Sequence, residues 1–197
     1  MIHQNKTVHN LKKYLQQFPH FTNSAYELAL PYLKKQNLVK GEFLLEEGKI
    51  CQQIAFIEKG LFRTFYLRDG LEITTCFCKE NTITCSYKSL ITQQPSDLSI
   101  QALENCELTV FNYTDLNTLY SKHPFWQSVG RMAAENEFLI MENYTRFIND
   151  LPAQNRYLQI LEKDSSLLQR VPLVYLASYL QIKPETLSRI RKKLTTS

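Results

Sequence analysis

The spacing of the apolar residues changes twice along this chain of 197 residues, and these changes limit the fold more than any other feature. Ahead of about Leu38 the apolar residues recur at helical spacing. From Leu38 to about Phe111 they alternate, and β-branched and aromatic residues accumulate. Helical spacing returns after Asp115. We therefore predict an α+β chain in which short helices precede an antiparallel barrel or jelly roll and further helices follow it.

A turn signal supports β-structure in the middle of the chain. The sequence Arg68-Asp69-Gly70 separates an alternating run at residues 61–67 from another at residues 72–78. Aspartate and glycine tolerate the positive φ angles of the tight turns that join antiparallel strands. This segment therefore predicts a β-hairpin.

Composition excludes several classes of protein. Hydrophobic residues make up 44% of the chain and charged residues 21%, which is ordinary for a globular protein and argues against disorder. The first residues contain no apolar core of signal-peptide length, and no later run approaches the roughly 20 apolar residues that span a bilayer. We therefore expect a cytoplasmic protein without a membrane partner.

The cysteines are scattered through the predicted β-structure, at Cys51, Cys76, Cys78, Cys85 and Cys106. Their odd number and their placement argue against a disulfide framework. Alternate residues of a strand share a face, so the neighbouring Cys76 and Cys78, with Cys85 close by, leave a metal or redox site open. We expect structural thiols and no bound metal.

A long helix is predicted from Pro124 to about Asp150, with proline at its start. Along it, residues recur at alternating spacings of four and three, as in the seam of a coiled coil. That seam comprises Phe125, Val129, Met132, Asn136, Leu139 and Asn143. A second stripe, Ala133, Ile140 and Phe147, has the spacing to pack on the chain's own barrel. We predict a parallel homodimer, and the alternative is a core helix of a monomer.

Two further helices follow near the C-terminus. Residues 172–180 and residues 184–194 each open on proline, and Gln181-Ile182-Lys183 interrupts them. Their apolar residues suit the small shared core of two crossed helices, in which Ala177 permits close approach; they are Leu176, Leu180, Ile182, Leu187, Ile190 and Leu194. This spacing predicts a helix-turn-helix.

The outward face of the second helix suits double-stranded DNA. A helix of this kind lies in the major groove and touches base edges with residues near its N-terminus. Arg189 can donate two hydrogen bonds to guanine, Glu185 can accept one from cytosine, and Ser188 can do either. We expect phosphate contacts from Lys183, Thr186, Arg191, Lys192 and Lys193. Residues 183–197 carry a net charge of +4, as does the whole chain. The alternative is that this basic segment is simply a C-terminal end exposed to solvent.

Residues 176–192 closely resemble the helix-turn-helix of Crp/Fnr-type regulators, and the run Glu185-Thr186-Leu187-Ser188-Arg189 is specific for it. The order of the predicted elements agrees with that family. The resemblance implies a cyclic-nucleotide-binding-like β-roll domain with N-terminal helices over residues 1–123, a dimerisation helix over residues 124–150 and a DNA-binding domain over residues 151–197. It also implies that a homodimer reads a near-palindromic site through Glu185, Ser188 and Arg189 and works with RNA polymerase.

The sequence departs from that family in its turn and at its end. Gln181 stands where the turn usually has glycine, so we expect a tighter or differently closed turn. Three residues follow Leu194, so we expect no C-terminal wing.

A further departure concerns the effector. Cyclic-nucleotide binders of this type carry Gly-Glu and, about ten residues later, an arginine that holds the cyclic phosphate. Residues 83–100 contain neither pattern, so we expect that cyclic AMP is not the effector and that the chain holds no cofactor. An unknown small-molecule effector stays open. The residues that we expect to line its pocket are Arg63, Thr84, Cys85, Ser86, Tyr87 and Lys88.

Two other classes of function compete with a regulator. A metal-dependent oxygenase needs a cluster of His and carboxylate ligands in its β-barrel, yet the histidines, His3, His9, His20 and His123, lie outside the β-region. No glycine-rich phosphate loop or nucleophile elbow is present either, so we expect no enzyme. The other reading is a ligand- or partner-binding β-roll module in which DNA binding is secondary.

Overall fold

The computed structural model describes residues 4–195, which form two compact units. Within the described residues, the first unit comprises residues 4–64 and 77–136, and the second comprises residues 65–76 and 137–195. The helices are α1 (Gln4–Leu15), α2 (Asn23–Glu27), α3 (Tyr87–Thr92), α4 (Tyr113–Lys122), α5 (Pro124–Asp150), α6 (Ala153–Lys163), α7 (Ser165–Arg170), α8 (Leu173–Tyr179) and α9 (Pro184–Thr195), and Leu30–Tyr32 forms a 3-10 turn. The strands are β1 (Lys34–Leu38), β2 (Phe43–Leu45), β3 (Gln53–Lys59), β4 (Phe62–Arg68), β5 (Leu71–Cys78), β6 (Ile83–Thr84), β7 (Ser99–Ala102) and β8 (Cys106–Asn112).

The strands form a jelly roll, as predicted. Over residues 4–195 one sheet has the strand order β1-β8-β3-β6 and the other has the order β2-β7-β4-β5. Strand β8 pairs antiparallel with both β1 and β3, so that Val110 lies opposite Lys34 on one side and Ala55 on the other. Together with the long helix α5 and the helices after it, these sheets confirm the predicted α+β fold class.

The first strand begins earlier than the apolar pattern indicated. Strand β1 starts at Lys34, ahead of the predicted boundary at Leu38, and its residues are mostly polar and exposed. It lies at the edge of its sheet, where charged side chains are common because they discourage pairing with other chains. A polar edge strand carries no apolar alternation, so the pattern missed it.

The predicted hairpin between β4 and β5 is confirmed. Asp69 has a φ of 52° and Gly70 a φ of 77°. Positive φ at both central residues is the mark of a type I′ turn, whose twist matches that of the strands it joins.

The start of helix α5 belongs to the core of the first unit. Trp126 is buried there, and its indole N–H donates to the carbonyl oxygen of Ala25 at 2.9 Å. Phe125, which is 2% exposed, and Val129, which is 7% exposed, pack in the same cluster as Leu11 of α1. Helices α1 and α2 therefore cover the first turns of α5.

This packing corrects the predicted dimer seam. Phe125 and Val129 are already buried within the chain and are not available to a second copy. Met132 is half-buried, whereas Asn136, Leu139 and Asn143 are exposed. The exposed apolar surface of α5 begins later and comprises Phe138, Leu139, Ile140 and Met141. Spacing alone could not separate the part of the helix that packs on α1 from the part that is exposed.

In the second unit, Ser178 of α8 binds the backbone of the β4–β5 hairpin. Its hydroxyl accepts a hydrogen bond from the Thr74 N–H at 2.9 Å and donates one to the Glu72 carbonyl oxygen at 2.7 Å. The Tyr144 hydroxyl lies 3.3 Å from the carbonyl oxygens of both Thr74 and Tyr179. Strand β5 thus holds helices α5 and α8 through polar contacts.

We expect Ser178→Ala to lower the free energy of unfolding by about 1–3 kcal/mol, because the N–H of the fully buried Thr74 loses its acceptor. Urea unfolding of the variant and the wild type measures the difference. Ser188→Ala is the matched control, since Ser188 is exposed on α9. Equal stability of the two variants would show that the contact with the hairpin contributes nothing.

Candidate nucleic-acid interface

Helices α8 and α9 are joined by the short connection at residues 180–183, as the sequence predicted. Pro172 immediately precedes α8, and Pro184 is the first residue of α9. The two helices share a core in which Leu176, Ala177, Leu180 and Leu187 are fully buried. The other predicted core members are half-buried, namely Ile182, Ile190 and Leu194. The pairing of these two helices fixes which face of α9 is exposed.

The connection closes in a standard way despite its lack of glycine. The Ile182 N–H donates to the Ala177 carbonyl oxygen at 3.0 Å, and the Gln181 N–H donates to the Ser178 carbonyl oxygen at 2.9 Å. These two bonds make a Schellman motif, which needs a residue in the left-handed region at the position of Gln181. Gln181 adopts it, with a φ of 51°. The expectation of a differently closed turn is therefore wrong, because glutamine accepts the strained backbone that glycine usually takes.

The outward face of α9 carries the predicted base readers. Glu185, Ser188, Arg189 and Lys192 are exposed, and their spacing of three and four places them on one side of the helix. The Arg189 Nη2 donates to the Thr186 hydroxyl at 3.3 Å, so Thr186 helps to position the guanidinium. Lys183 and Lys193, at either end of this face, are exposed as well.

Arg191 is placed differently from the other predicted phosphate contacts. Its Nη2 donates to the Leu168 carbonyl oxygen at 3.5 Å, and its guanidinium lies over the Tyr157 ring, 5.7 Å from the centroid. These contacts tie α9 to α6 and α7, so we remove Arg191 from the phosphate set. The sequence held the signal, because Arg191 follows the buried Leu187 by four residues and therefore lies on the inward side of the helix.

The predicted effector residues form two separate groups in the first unit. Arg63 of β4 is buried, and its Nε and Nη2 donate to the Gln101 side-chain oxygen of β7 at 3.0 and 2.7 Å. Thr84 and Ser86 are buried, while Cys85 and Tyr87 are half-buried. Arg63 therefore joins β4 to β7, and its role in an effector pocket stays a prediction.

The segment around α3 is closed by its own side chains. The hydroxyls of Ser86 and Ser96 share a hydrogen bond of 2.9 Å, and both residues are buried. They stand ten residues apart, which is the separation that the resemblance assigns to the glutamate and arginine of nucleotide binders. The exposed Lys88 donates to Asp97 at 2.6 Å, and this hydrogen bond holds the pKa of the Asp97 carboxyl below its usual value. Sequence reasoning missed Ser96 and Asp97, because only their partners were considered.

The cysteines form no disulfide within the described residues. Cys51 and Cys106 are buried, and burial raises the pKa of both thiols. Cys76, Cys78 and Cys85 are half-buried. Among residues 4–195, no helix is both long and apolar enough to cross a bilayer.

Comparisons with known proteins agree with this architecture. Residues 35–123 match the family model of the cyclic nucleotide-binding domain. A putative transcriptional regulator of the Crp/Fnr family from Eubacterium rectale matches with a TM-score of 0.73 at 15% identity, over 92% of this chain and 88% of that one. FixK2 from Bradyrhizobium japonicum matches with a TM-score of 0.70 at 16% identity, over 83% of this chain and 85% of that one.

A third structure, the catabolite activator protein of Thermus thermophilus, matches with a TM-score of 0.56 at 22% identity, over 93% of this chain and 87% of that one. No curated protein sequence matches the chain significantly. At these identities the likeness shows the fold, from the β-roll to the terminal helices.

Proposed function

We propose that this chain, which joins a cyclic nucleotide-binding domain to the helices of the Crp/Fnr fold, is a DNA-binding transcriptional regulator that acts as a homodimer. The observation that carries the proposal is the exposed face of α9 with Glu185, Ser188 and Arg189. Helices α8 and α9 serve as a helix-turn-helix, and α9 enters the major groove. RNA polymerase is the partner that such a regulator implies.

The chemistry of α9 divides the contacts into two kinds. Arg189, held by Thr186 before DNA arrives, donates to guanine, while Glu185 and Ser188 bind neighbouring base edges. Lys183, Lys192 and Lys193 bind phosphates, which set affinity and salt dependence rather than the choice of sequence.

The second copy covers the exposed part of α5. Phe138, Leu139, Ile140 and Met141 are large apolar side chains that are all exposed in the single chain, and Phe138 and Met141, three residues apart, share one side of α5. A contiguous exposed apolar surface of this kind is typical of a protein interface. Pairing of α5 with α5 in a second copy would bury it and would present two copies of α9 to successive half-sites of a near-palindrome.

Cyclic AMP is not the effector in this proposal. Residues 83–100 contain no arginine for a cyclic phosphate, Ser86 and Ser96 bond to each other, and Lys88 is paired with Asp97. A buried phosphate without such a partner would be an uncompensated charge. Isothermal titration calorimetry with cyclic AMP is expected to give no heat of binding, and micromolar binding would contradict the proposal.

A gel-shift experiment with genomic fragments at about 50 and about 200 mM salt tests DNA reading directly. We expect Arg189→Ala to weaken binding to the preferred fragment by about 1–3 kcal/mol and to relax the preference for it, because a base contact is lost. We expect Lys192→Ala to weaken binding to every fragment by a similar factor and to reduce the salt slope by about 1.

The two variants control for each other, since both remove a positive charge from the same exposed face of α9. Equal losses from both, without any change in preference, would contradict base reading by Arg189. Absence of DNA binding by the wild type at either salt concentration would contradict the regulator and favour a β-roll module that binds a ligand or another partner.

A further inference from the structure

The β-roll contains a cavity of about 120 Å³, and none of the residues proposed to contact DNA bases or phosphates lines it. Half of the residues in its wall are aliphatic, and two thiols and two amides complete it: Leu44, Leu45, Ile50, Ile100, Cys51, Cys85, Gln52 and Gln53. It lies entirely within the first unit. Ile50 in its wall is 40% exposed, so the cavity is open to solvent on that side and a small ligand can enter.

The wall of this cavity selects against charge. Among the described residues, none of those that line it is ionised at neutral pH. The Cys51 thiol donates to the Gln53 carbonyl oxygen at 3.3 Å, and burial raises its pKa, so it stays neutral. The side-chain amides of Gln52 and Gln53 already donate to Gln93 at 3.2 Å and to Gln36 at 3.0 Å. Water and ions therefore find few partners in this space, whereas apolar molecules lose their hydration on entry.

We propose that this cavity binds a small uncharged apolar ligand of about six to eight non-hydrogen atoms, since an aliphatic cavity of about 150 Å³ accommodates benzene. The inference rests on the proposed function in one respect, because it names this ligand class as the effector of the regulator. The site differs from the closed segment of Ser86 and Ser96, so it needs no arginine.

Hydrogen bonds join the wall of the cavity to that segment. The Cys51 N–H donates to the Ser89 hydroxyl of α3 at 2.9 Å, and the same hydroxyl donates to the Gln94 carbonyl oxygen at 2.5 Å. Ile50 forms a β-bridge with Pro95, and the Ser96 N–H donates to the Lys49 carbonyl oxygen at 2.8 Å. A ligand that displaces Ile50 or Cys51 therefore displaces α3 and the residues that follow it.

Titration of the full chain with fluorobenzene, followed by ¹⁹F NMR, tests the site. We expect saturable binding by the wild type and binding at least about tenfold weaker in Leu44→Phe, where the larger ring occupies the cavity. Leu67→Phe is the matched control, because Leu67 is exposed on β4 in the second unit. Ile50→Phe is the second filling variant, since Ile50 is 40% exposed and its exposed neighbours leave room for a larger side chain.

The same samples are used in a gel shift, in which fluorobenzene is expected to change the affinity of the wild type for DNA about fivefold or more. Saturable binding that the filling variants lose and Leu67→Phe keeps supports the site. No saturable binding, or equal binding by all variants, overturns it. Binding that leaves DNA affinity unchanged overturns the effector role. Absence of DNA binding by the wild type both with and without fluorobenzene, while fluorobenzene binds, would overturn the proposed function and leave the cavity site standing.

Discussion

Gly60→Ala is expected to lower the free energy of unfolding by roughly 3–5 kcal/mol, since it combines backbone strain with overpacking. Gly60 lies between β3 and β4 with a φ of 104°, which residues with a side chain rarely adopt. A methyl group there would contact the Cys106 sulfur and would lie 3.0 Å from the Cys106 Cα and 3.1 Å from the Asn105 carbonyl oxygen. Backbone atoms cannot move aside as the end of a flexible side chain can.

Gly41→Ala separates the two causes of this loss. Gly41 has a φ of 94°, yet an added methyl group would meet nothing within 4 Å. The control therefore carries strain without a clash, and we expect it to lose about 1–3 kcal/mol. Urea unfolding measures both variants. If Gly60→Ala proved no less stable than Gly41→Ala, the close approach of β8 to Gly60 would be disproved.

Phe138→Asp is expected to raise the dissociation constant of the dimer about thirtyfold or more, because it places a charge at the centre of an apolar interface. Binding to DNA with two half-sites should weaken about a hundredfold or more, since each half-site is then bound independently. Sedimentation velocity and a gel shift measure the two effects. Both rest on the proposed role of α5, where Phe138 is 67% exposed in the single chain.

Leu71→Asp provides the matched control. Leu71 is also 67% exposed and lies in the second unit, but it belongs to the β4–β5 hairpin rather than to α5. We expect this variant to remain a dimer and to bind DNA as the wild type does. A dimer that survives Phe138→Asp would place the interface elsewhere.

Local signals in the sequence predicted most of the fold. Asp69-Gly70 predicted the hairpin, because the backbone angles of the turn are those of these two central residues. Pro172 and Pro184 marked the starts of α8 and α9 for a similar reason. Strand β1 was placed too late because its position at a sheet edge, which permits polar residues, is a property of the whole domain.

Long-range packing decided the features that the sequence could not predict. The spacing of Phe125 and Val129 fitted a dimer seam equally well, but α1 and α2 cover both residues. The buried bond between Ser86 and Ser96 needed two segments to meet, as did the contact of Ser178 with β5. Contacts of this kind, between segments that are distant in the sequence, leave no pattern in a single sequence.

The sequence predicted which residues form the candidate site better than it predicted the contacts of each residue. The exposed positions of Glu185, Ser188 and Arg189 follow from helical periodicity, as expected. Arg191 was misplaced because its charge was weighed ahead of its position on the helix. Gln181 showed that a turn can keep its geometry when its usual residue is absent.

Selection of bound sequences from a pool of random duplex DNA tests the central claim most directly. A homodimer that presents α9 twice should enrich a near-palindrome whose half-sites lie about 10 base pairs apart, centre to centre. The position read by Arg189 should lose its guanine preference in Arg189→Ala and keep it in Lys192→Ala. Enrichment of no motif by the wild type, or of a motif that Arg189→Ala leaves unchanged, would contradict the account.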